Sequence, residues 1–366
     1  MKSKIVLGLG FGDEGKGITT DYLCSKDPKE SKIVIRFSGG QQAGHTVIVD
    51  GVKHIHSSFG SGSLRGVPTY ISEHCTVYPV SLVSEYFVLK SKCFNPKIYF
   101  HPLAKITTPM DVFINRKKSV NKDTCGLGIG TTMTRNAELY TLRIMDLLHP
   151  DLFKEKYRVI KNNYYYGEDF SSEEYQKIEK YFFDNIRFIT RDKIKDYSIL
   201  TEFDQNIYEG SQGILLDQDY GLFPNVTYSK TTLKNAVEII QNLYFDDYLI
   251  DCSDIYFVTR CYQTRHGFGW MSNNDKIELV NNNEEINVYN QYQGDFRIGE
   301  LDYDLINYAI EANRQDMKEF FGFTNNLVVT CLDQRPSFIF DYDKINYNFF
   351  DILNSHGSDS KFFVYL

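Results

Sequence analysis

The stretch Gly10-Phe11-Gly12-Asp13-Glu14-Gly15-Lys16-Gly17 constrains the fold of this chain more than any other. It follows an apolar run, "KIVLGLG", and leads into "KGITTDYLCSK", whose apolar residues recur at helical spacing. Strand, glycine-rich turn and helix in that order form the first unit of an α/β protein, with an anion-binding corner at the helix N-terminus. The pattern approaches the phosphate-binding loop G-x-x-x-x-G-K-[ST] and departs from it twice. Gly17 stands where a metal-binding Ser or Thr belongs, and two carboxylates, Asp13 and Glu14, lie inside the loop. An anion cradle that carries its own anions must either neutralise them or use them.

The rest of the chain repeats the alternation. "KIVIRFS" reads as a second strand, and "TVIVDGVKHIH" as a hairpin turning at Asp50-Gly51. "SLVSEYFVLKSK", "SSEEYQKIEKYFFDNI", "TTLKNAVEIIQNLY" and "LDYDLINYAIEAN" read as helices. "KIYFHP", "DIYFVTR", "NLVVTCLD" and the final "KFFVYL" read as strands. The expected fold is therefore α/β: a mostly parallel central sheet of the P-loop type, flanked by helices, with small hairpin and loop insertions. No Pro/Ser-rich linker or internal repeat divides the 366 residues, so one domain over 1–366 is expected. The polar segment "DKIELVNNNEEINVYNQYQGD" reads as a functional loop, because apolar patterns resume directly after it.

Composition excludes several classes. The net charge of -8 argues against a nucleic-acid partner, which needs a basic face. No apolar run reaches about 18 residues, so no membrane span is expected. The N-terminus lacks a signal-peptide core. The 7 cysteines are odd in number and scattered without a C-x-x-C, which fits free thiols in a reducing cytoplasm.

The candidate chemistry lies in the loops. Gly10 and Gly15 allow backbone N–H groups to approach phosphate closely, and Lys16 adds a positive charge. With no hydroxyl at Gly17, the Asp13 carboxylate can replace it as a Mg²⁺ ligand, or serve as a base beside the reacting phosphate. "FSGGQQAGHTV" follows a strand and contains Gln42, Gly44, His45 and Thr46; His45 can donate a proton near neutral pH. "TCGLGIGTT", with Thr124 and Cys125, suits a second phosphate. "EGSQGILLDQDYGLFPNVT" brings Gln212, whose amide suits a base edge, and Thr227. Arg265 and Arg297 lie in glycine loops and suit a carboxylate. Asp333 can read the N1–H and 2-amino edge of guanine. Three anion loops with base-reading groups point to an enzyme that holds two nucleotides, one a phosphate donor. The competing reading is a nucleotide-driven P-loop switch without catalysis.

The order of these motifs resembles the adenylosuccinate synthetase family. "GFGDEGKG" is similar to that family's "WGDEGKGK", "GGQQAGHTV" to "GGxNAGHT", "CGLGIG" to "TGRGIGP" and "EGSQGILLDQDYGLFPNVT" to "EGAQGxLLDxxxGTYPxVT". "YQTRHGFG", "RIGELD", "VVTCLD" and "SHGSDS" are similar to its later motifs, in the same order. The resemblance implies a Mg²⁺-dependent, GTP- or ATP-hydrolysing ligase that joins L-aspartate to C6 of a 6-oxopurine nucleotide through a 6-phosphoryl intermediate. It implies a homodimer. Asp13, His45 and Gln212 would be catalytic, and Asp13 with the Gly44 carbonyl would hold the metal. Gly12, Glu14, Gly15, Lys16, Gly17, Thr46, Asp333 and Gly357 would bind the donor. Gln42, Thr124, Cys125, Gln212, Thr227 and His266 would bind the acceptor, and Gly294 and Arg297 the aspartate.

The departures from the family pattern gather away from the phosphoryl-transfer residues. Gln42 replaces an Asn, Cys125 a Thr, His266 a Val beside the ribose, and Cys331 the Lys that covers guanine. Asp295 and Phe296 replace two Arg of the aspartate loop. Leu139 stands for the Arg that reaches the partner subunit's nucleotide. These losses resemble a short phage branch of the family that makes the 2-amino analogue from dGMP with ATP as donor. IMP and dGMP are therefore both expected acceptors.

Overall fold

The structure is a computed structural model that describes residues 2–118, 124–243, 253–273, 277–280, 294–317 and 323–366. Most of the polar segment expected to be a functional loop, and Cys252, fall outside the described residues. The strands are β1 (Lys2–Gly8), β2 (Lys32–Arg36), β3 (His45–Val49), β4 (Val52–His56), β5 (Thr69–Ile71), β6 (Thr76–Val77), β7 (Ile98–Phe100) and β8 (Lys105–Ile106). They continue with β9 (Gln205–Gly213), β10 (Ser253–Arg260), β11 (Gln263–His266), β12 (Phe296–Gly299), β13 (Phe323–Thr330), β14 (Asp351–Ser355) and β15 (Phe363–Tyr365). The helices are α1 (Lys16–Ser25), α2 (Pro79–Ser91), α3 (Pro109–Lys118), α4 (Ile129–Ala137), α5 (Pro150–Val159), α6 (Glu173–Asn185), α7 (Lys234–Leu243) and α8 (Tyr303–Met317).

Nine strands form the central sheet in the order β15-β14-β13-β10-β1-β9-β2-β5-β7. Every neighbour pair is parallel except the edge pair β14–β15. The α/β expectation holds, and so do the hairpin insertions: β3 and β4 pair around Asp50-Gly51, and β11 pairs with β12. The interior strands are apolar because both faces are covered. Ile5, Leu7, Ile33, Ile35, Tyr208, Ile255, Phe257, Leu327 and Val329 pack one face, and Val6, Val34, Ile207, Val258 and Val328 the other. A further core joins β5, β7 and β8 to α2, α3, α5 and α6. No helix among the described residues is long and apolar enough to cross a membrane.

Parallel order positions the site. The strand ends at Gly8, Arg36, Gly213, Arg260 and Thr330 all face one edge of the sheet, where open α/β sheets receive ligands. "EGSQG" belongs to that edge as strand rather than loop: it is the end of β9, between β1 and β2. Arg265 and Arg297 likewise lie on paired strands, β11 and β12, directly opposite each other.

Candidate active site

The glycine-rich turn runs from the end of β1 into α1. Gly15 caps α1 in the left-handed region (φ 99°), and a Cβ there would meet Thr330 Cγ2 at 2.8 Å. β13 thus packs so closely on the turn that glycine is required. The puzzle of the two carboxylates resolves differently for each. Glu14 turns inward: Oε1 accepts from the N–H groups of Gly10 (3.0 Å) and Gly12 (2.8 Å), and Oε2 from Lys16 Nζ at 2.5 Å. Both side chains of that pair are buried. Glu14 is therefore an internal anion that folds the loop, and its carboxylate does not line the cleft described below.

Asp13 turns outward. Its backbone is left-handed (φ 62°), which a short polar side chain tolerates best among residues with a Cβ. The main chain here is tied down by Arg260 Nε, which donates to the Asp13 carbonyl, and by Thr264 Oγ1, which donates to that of Gly12 at 3.1 Å. The Asp13 carboxylate lies 3.1 Å from His266 Nε2. Burial pulls its pKa upward, but His266, Arg260 and Lys16 outweigh that and hold it below the ordinary carboxylate range.

His45 opens β3, with its Nδ1 2.7 Å from Glu209 Oε1 on β9. Glu209 is wholly buried and also accepts from the N–H (3.1 Å) and hydroxyl of Ser61. Burial pushes the Glu209 carboxyl up, but His45, Arg36 and Ser61 bring it down to about 2. Burial also lowers the His45 ring below the usual imidazole value, more than Glu209 raises it. The result is an ionised Glu209 accepting from Nδ1–H of a neutral ring. Sequence reasoning took Glu209 only as part of "EGSQG"; a lone acid within the strand-like run "NIYEG" was the available signal.

Gln212, the penultimate residue of β9, is in a left-handed conformation (φ 53°), and its Oε1 accepts from Gln42 Nε2 at 3.1 Å. Asp13 and Gln212 are thus held in sparsely populated backbone at adjacent strand ends, as functional residues often are. Across from them, Asn115 Oδ1 accepts from Thr124 Oγ1 (3.1 Å) and Gly128 N (3.3 Å), fixing the turn into α4. Ile129, Gly130 and Thr131 of the first turn of α4 line the cleft, so a second helix N-terminus opens onto it.

These groups share one cleft of about 840 Å³. Gly12, Asp13, Lys16, Gln42, Gly44, His45, Thr124, Cys125, Gln212, Thr227 and His266 all line it. Gly15, Gly17, Thr46, Gly294, Arg297, Asp333 and Gly357 do not. Arg297 lies beside the cleft: it donates to the carbonyl of Gly269 and pairs in register with Arg265, which does line the cleft. Burial, then the neighbouring Arg297, pull the Arg265 guanidinium down to about 10. Asp333 follows β13 in the turn Leu332–Gln334, and Gln334 Nε2 donates to its Oδ2 at 2.7 Å.

Comparison with known proteins decides the family. The adenylosuccinate synthetase family profile matches residues 5–325. The chain belongs to the adenylosuccinate synthetase family. It is 33% identical over 289 residues to adenylosuccinate synthetase of Clostridium botulinum (strain Eklund 17B / Type B), covering 74% of this chain and 65% of that one. It is 30% identical over 332 residues to that of Halothermothrix orenii, covering 86% and 75%. Against the first relatives, including that of Clostridium perfringens at 57%, this adenylosuccinate synthetase family member spans about three-fifths of their length. Two solved structures share its fold. Fully ligated Plasmodium falciparum adenylosuccinate synthetase has TM-score 0.71 at 23% identity, covering 91% of this chain and 77% of that one. Cyanophage S-2L succinoaminodeoxyadenylate synthetase, bound to dGMP and to dATP as an energy donor, has TM-score 0.70 at 14% identity, covering 100% and 95%.

Proposed function

We propose that this chain is a ligase of purine nucleotide synthesis that condenses L-aspartate with C6 of a 6-oxopurine nucleotide, IMP in the first reading, at the expense of GTP or ATP. The observation that carries it is the meeting of Asp13, His45 and Gln212 with two helix N-termini on one cleft. The donor triphosphate would lie at the start of α1 with Lys16, and the acceptor phosphate at the start of α4 with Thr124 and Cys125. Asp13 would take the N1 proton, so that O6 attacks the γ-phosphorus and the nucleoside diphosphate leaves. Gln212, braced by Gln42, would hold the purine edge. His45 would present Nε2 to the transferring group. Its Nδ1 hydrogen is committed to Glu209, so Nε2 donates only when the ring is protonated, and the negative charge of bound phosphates favours that form. The amino group of aspartate then displaces phosphate at C6.

The outward Asp13 carboxylate and the carbonyl of Gly44, a cleft-lining residue, are hard oxygens, a donor set that fits Mg²⁺. No group of three or more acidic, His or Cys ligands gathers among the described residues, as suits an ion carried largely by substrate phosphates. Asp13 and Gly44 would hold it, and it would neutralise phosphate charge during transfer.

A second reading, dGMP as acceptor and ATP as donor, is supported by length. The cyanophage enzyme, described as bound to dGMP and dATP, aligns over 100% of this chain and 95% of its own, against 77% for the Plasmodium enzyme. We read the chain as a homodimer; Leu139, 86% exposed, lacks the charge to complete a partner's site, and sedimentation tests the assembly.

The test incubates the protein with Mg²⁺, L-aspartate, GTP or ATP, and IMP or dGMP. Phosphate release that requires both aspartate and an acceptor is the expected result, and its absence with every pair rejects the ligase. Calorimetric titration of IMP against dGMP chooses the acceptor. Triphosphate binding without binding of either monophosphate would favour a switch.

A further inference from the structure

His266 stands where the resemblance has Val, and Phe296 where it has Arg. The structure joins these two departures. They are register partners across β11 and β12, with ring centroids 4.9 Å apart and planes inclined at 48°. His266 Nε2 lies 3.1 Å from Asp13 Oδ2, while Nδ1 is buried with no hydrogen-bond partner among the described residues. Asp13 is therefore the one charged group within ion-pair distance of this ring among the described residues, and Nδ1 makes no bond that would hold the ring elsewhere. A histidine kept for packing alone would satisfy its buried nitrogen or be replaced by an apolar residue.

Asp13 needs such a contact. It sits in a left-handed turn, and the neighbouring anchors, Arg260 and Thr264, hold the loop through the main-chain carbonyls of Asp13 and Gly12. The carboxylate itself remains free to rotate unless something holds it. Thr264 lies two residues before His266 on β11, so the same strand that fixes the Gly12 backbone also delivers the ring.

We propose that His266 is a positioning residue for Asp13. By donating to Oδ2 it orients the carboxylate and turns Oδ1 toward the cleft, for the purine N1–H and the metal, and Phe296 sets the plane of the ring. The inference rests on the reading of Asp13 as the base. It goes beyond contact with the acceptor, because it assigns His266 an action on the rate rather than on binding.

The experiment compares His266→Val, His266→Gln and Phe296→Leu in the full chain. It measures kcat and KM with saturating Mg²⁺ and aspartate, acceptor binding by calorimetry, and the melting temperature. Val is expected to lower kcat about ten- to hundredfold, the scale of a misplaced reacting group, with acceptor Kd within about twofold. Gln, whose amide nitrogen can donate over a similar reach, is expected to recover most of kcat. Phe296→Leu is expected to show a smaller loss of the same kind, which keeps the idea testable should Val fail to fold. Unchanged kcat in Val and Leu, equal losses in Val and Gln, or acceptor binding lost in step with kcat would overturn the positioning role while leaving the ligase intact. A wild-type chain inert with every acceptor overturns the ligase reading and this inference together.

Discussion

His45 Nδ1 and Glu209 Oε1 lie 2.7 Å apart, and the glutamate half of that pair is wholly buried. Glu209→Gln keeps the shape and removes the charge that favours a protonated His45. It is expected to lower kcat about a hundredfold, within the range of general acid–base contributions, with little change in acceptor binding. The same residue shapes acid stability. Its folded pKa is depressed from 4.5 to about 2, so it contributes stability above pH 4.5 that is lost as pH falls toward about 2. His45, also depressed in the fold, acts in the same direction below its ordinary 6.5. Denaturant melts at falling pH should therefore show a shallower loss for Glu209→Gln than for wild type below pH 4.5. A parallel profile would show that the pair does not govern acid unfolding.

Asp13→Asn tests the base directly. The amide can still accept one hydrogen bond from His266's neighbourhood, but it cannot take the N1 proton. Turnover is expected to fall about 10²–10⁴-fold while triphosphate binding persists. Near-normal kcat would remove Asp13 from proton transfer.

Glu14 is expected to act on folding of the loop. Glu14→Ala leaves the buried Lys16 ammonium without its partner and two N–H groups without an acceptor. Breaking a buried pair from one side costs roughly 3–5 kcal/mol, so a melting temperature lower by several degrees is expected. Glu14→Gln keeps an acceptor for Gly10 and Gly12 and should lose less. An unchanged melting temperature in Glu14→Ala would contradict the internal-anion role.

These residues also show how far the sequence reached. Glycine spacing around a strand and a helix made the loop at Asp13 legible, because backbone needs of that kind are local. The direction of the Glu14 side chain was not, since it depends on the space between the loop and Gly213, where a Cβ would strike the Glu14 carboxylate. "EGSQG" carries glycines and polar residues, yet it is strand because β2 pairs with it at Glu209 and β1 at Glu209 and Gly213; context overrides propensity there. Arg265 and Arg297 form a register pair across a long sequence separation, which no local pattern announces. The convergence of loops was legible, and the second layer behind them, Glu209 above all, was not.

Donor choice should depend on Gln334. A carboxylate reads guanine best when both oxygens face N1–H and the 2-amino group. Here Gln334 Nε2 donates to Asp333 Oδ2 at 2.7 Å, which leaves one oxygen and places an N–H beside it. That pairing of acceptor and donor suits the 6-amino and N1 positions of adenine. ATP is expected to exceed GTP in kcat/KM, and Gln334→Ala to move the ratio toward GTP by about tenfold. A wild-type preference for GTP, or a ratio unmoved by the substitution, would reject this.

Arg265 and Arg297 set the last expectation. Burial, and after it the repulsion of Arg297 in register, draw the Arg265 guanidinium down to about 10. Arg265 donates to the carbonyls of Trp270 (2.5 Å) and Asn225 (3.1 Å) and lies over the Phe11 ring at 4.3 Å. Its hydrogen-bond partners among the described residues are carbonyls and no carboxylate, although it lines the cleft. A dicarboxylate substrate would relieve both the repulsion and the missing counter-charge. Arg265→Met is therefore expected to raise KM for L-aspartate about a hundredfold, a charge-assisted contact of roughly 3 kcal/mol, with nucleotide KM values little changed. Arg265→Lys should rescue poorly, because an ammonium lacks the planar fork and the stacking on Phe11. If Lys restores aspartate KM fully, the contact is simple charge; if Met leaves it unchanged, aspartate binds elsewhere.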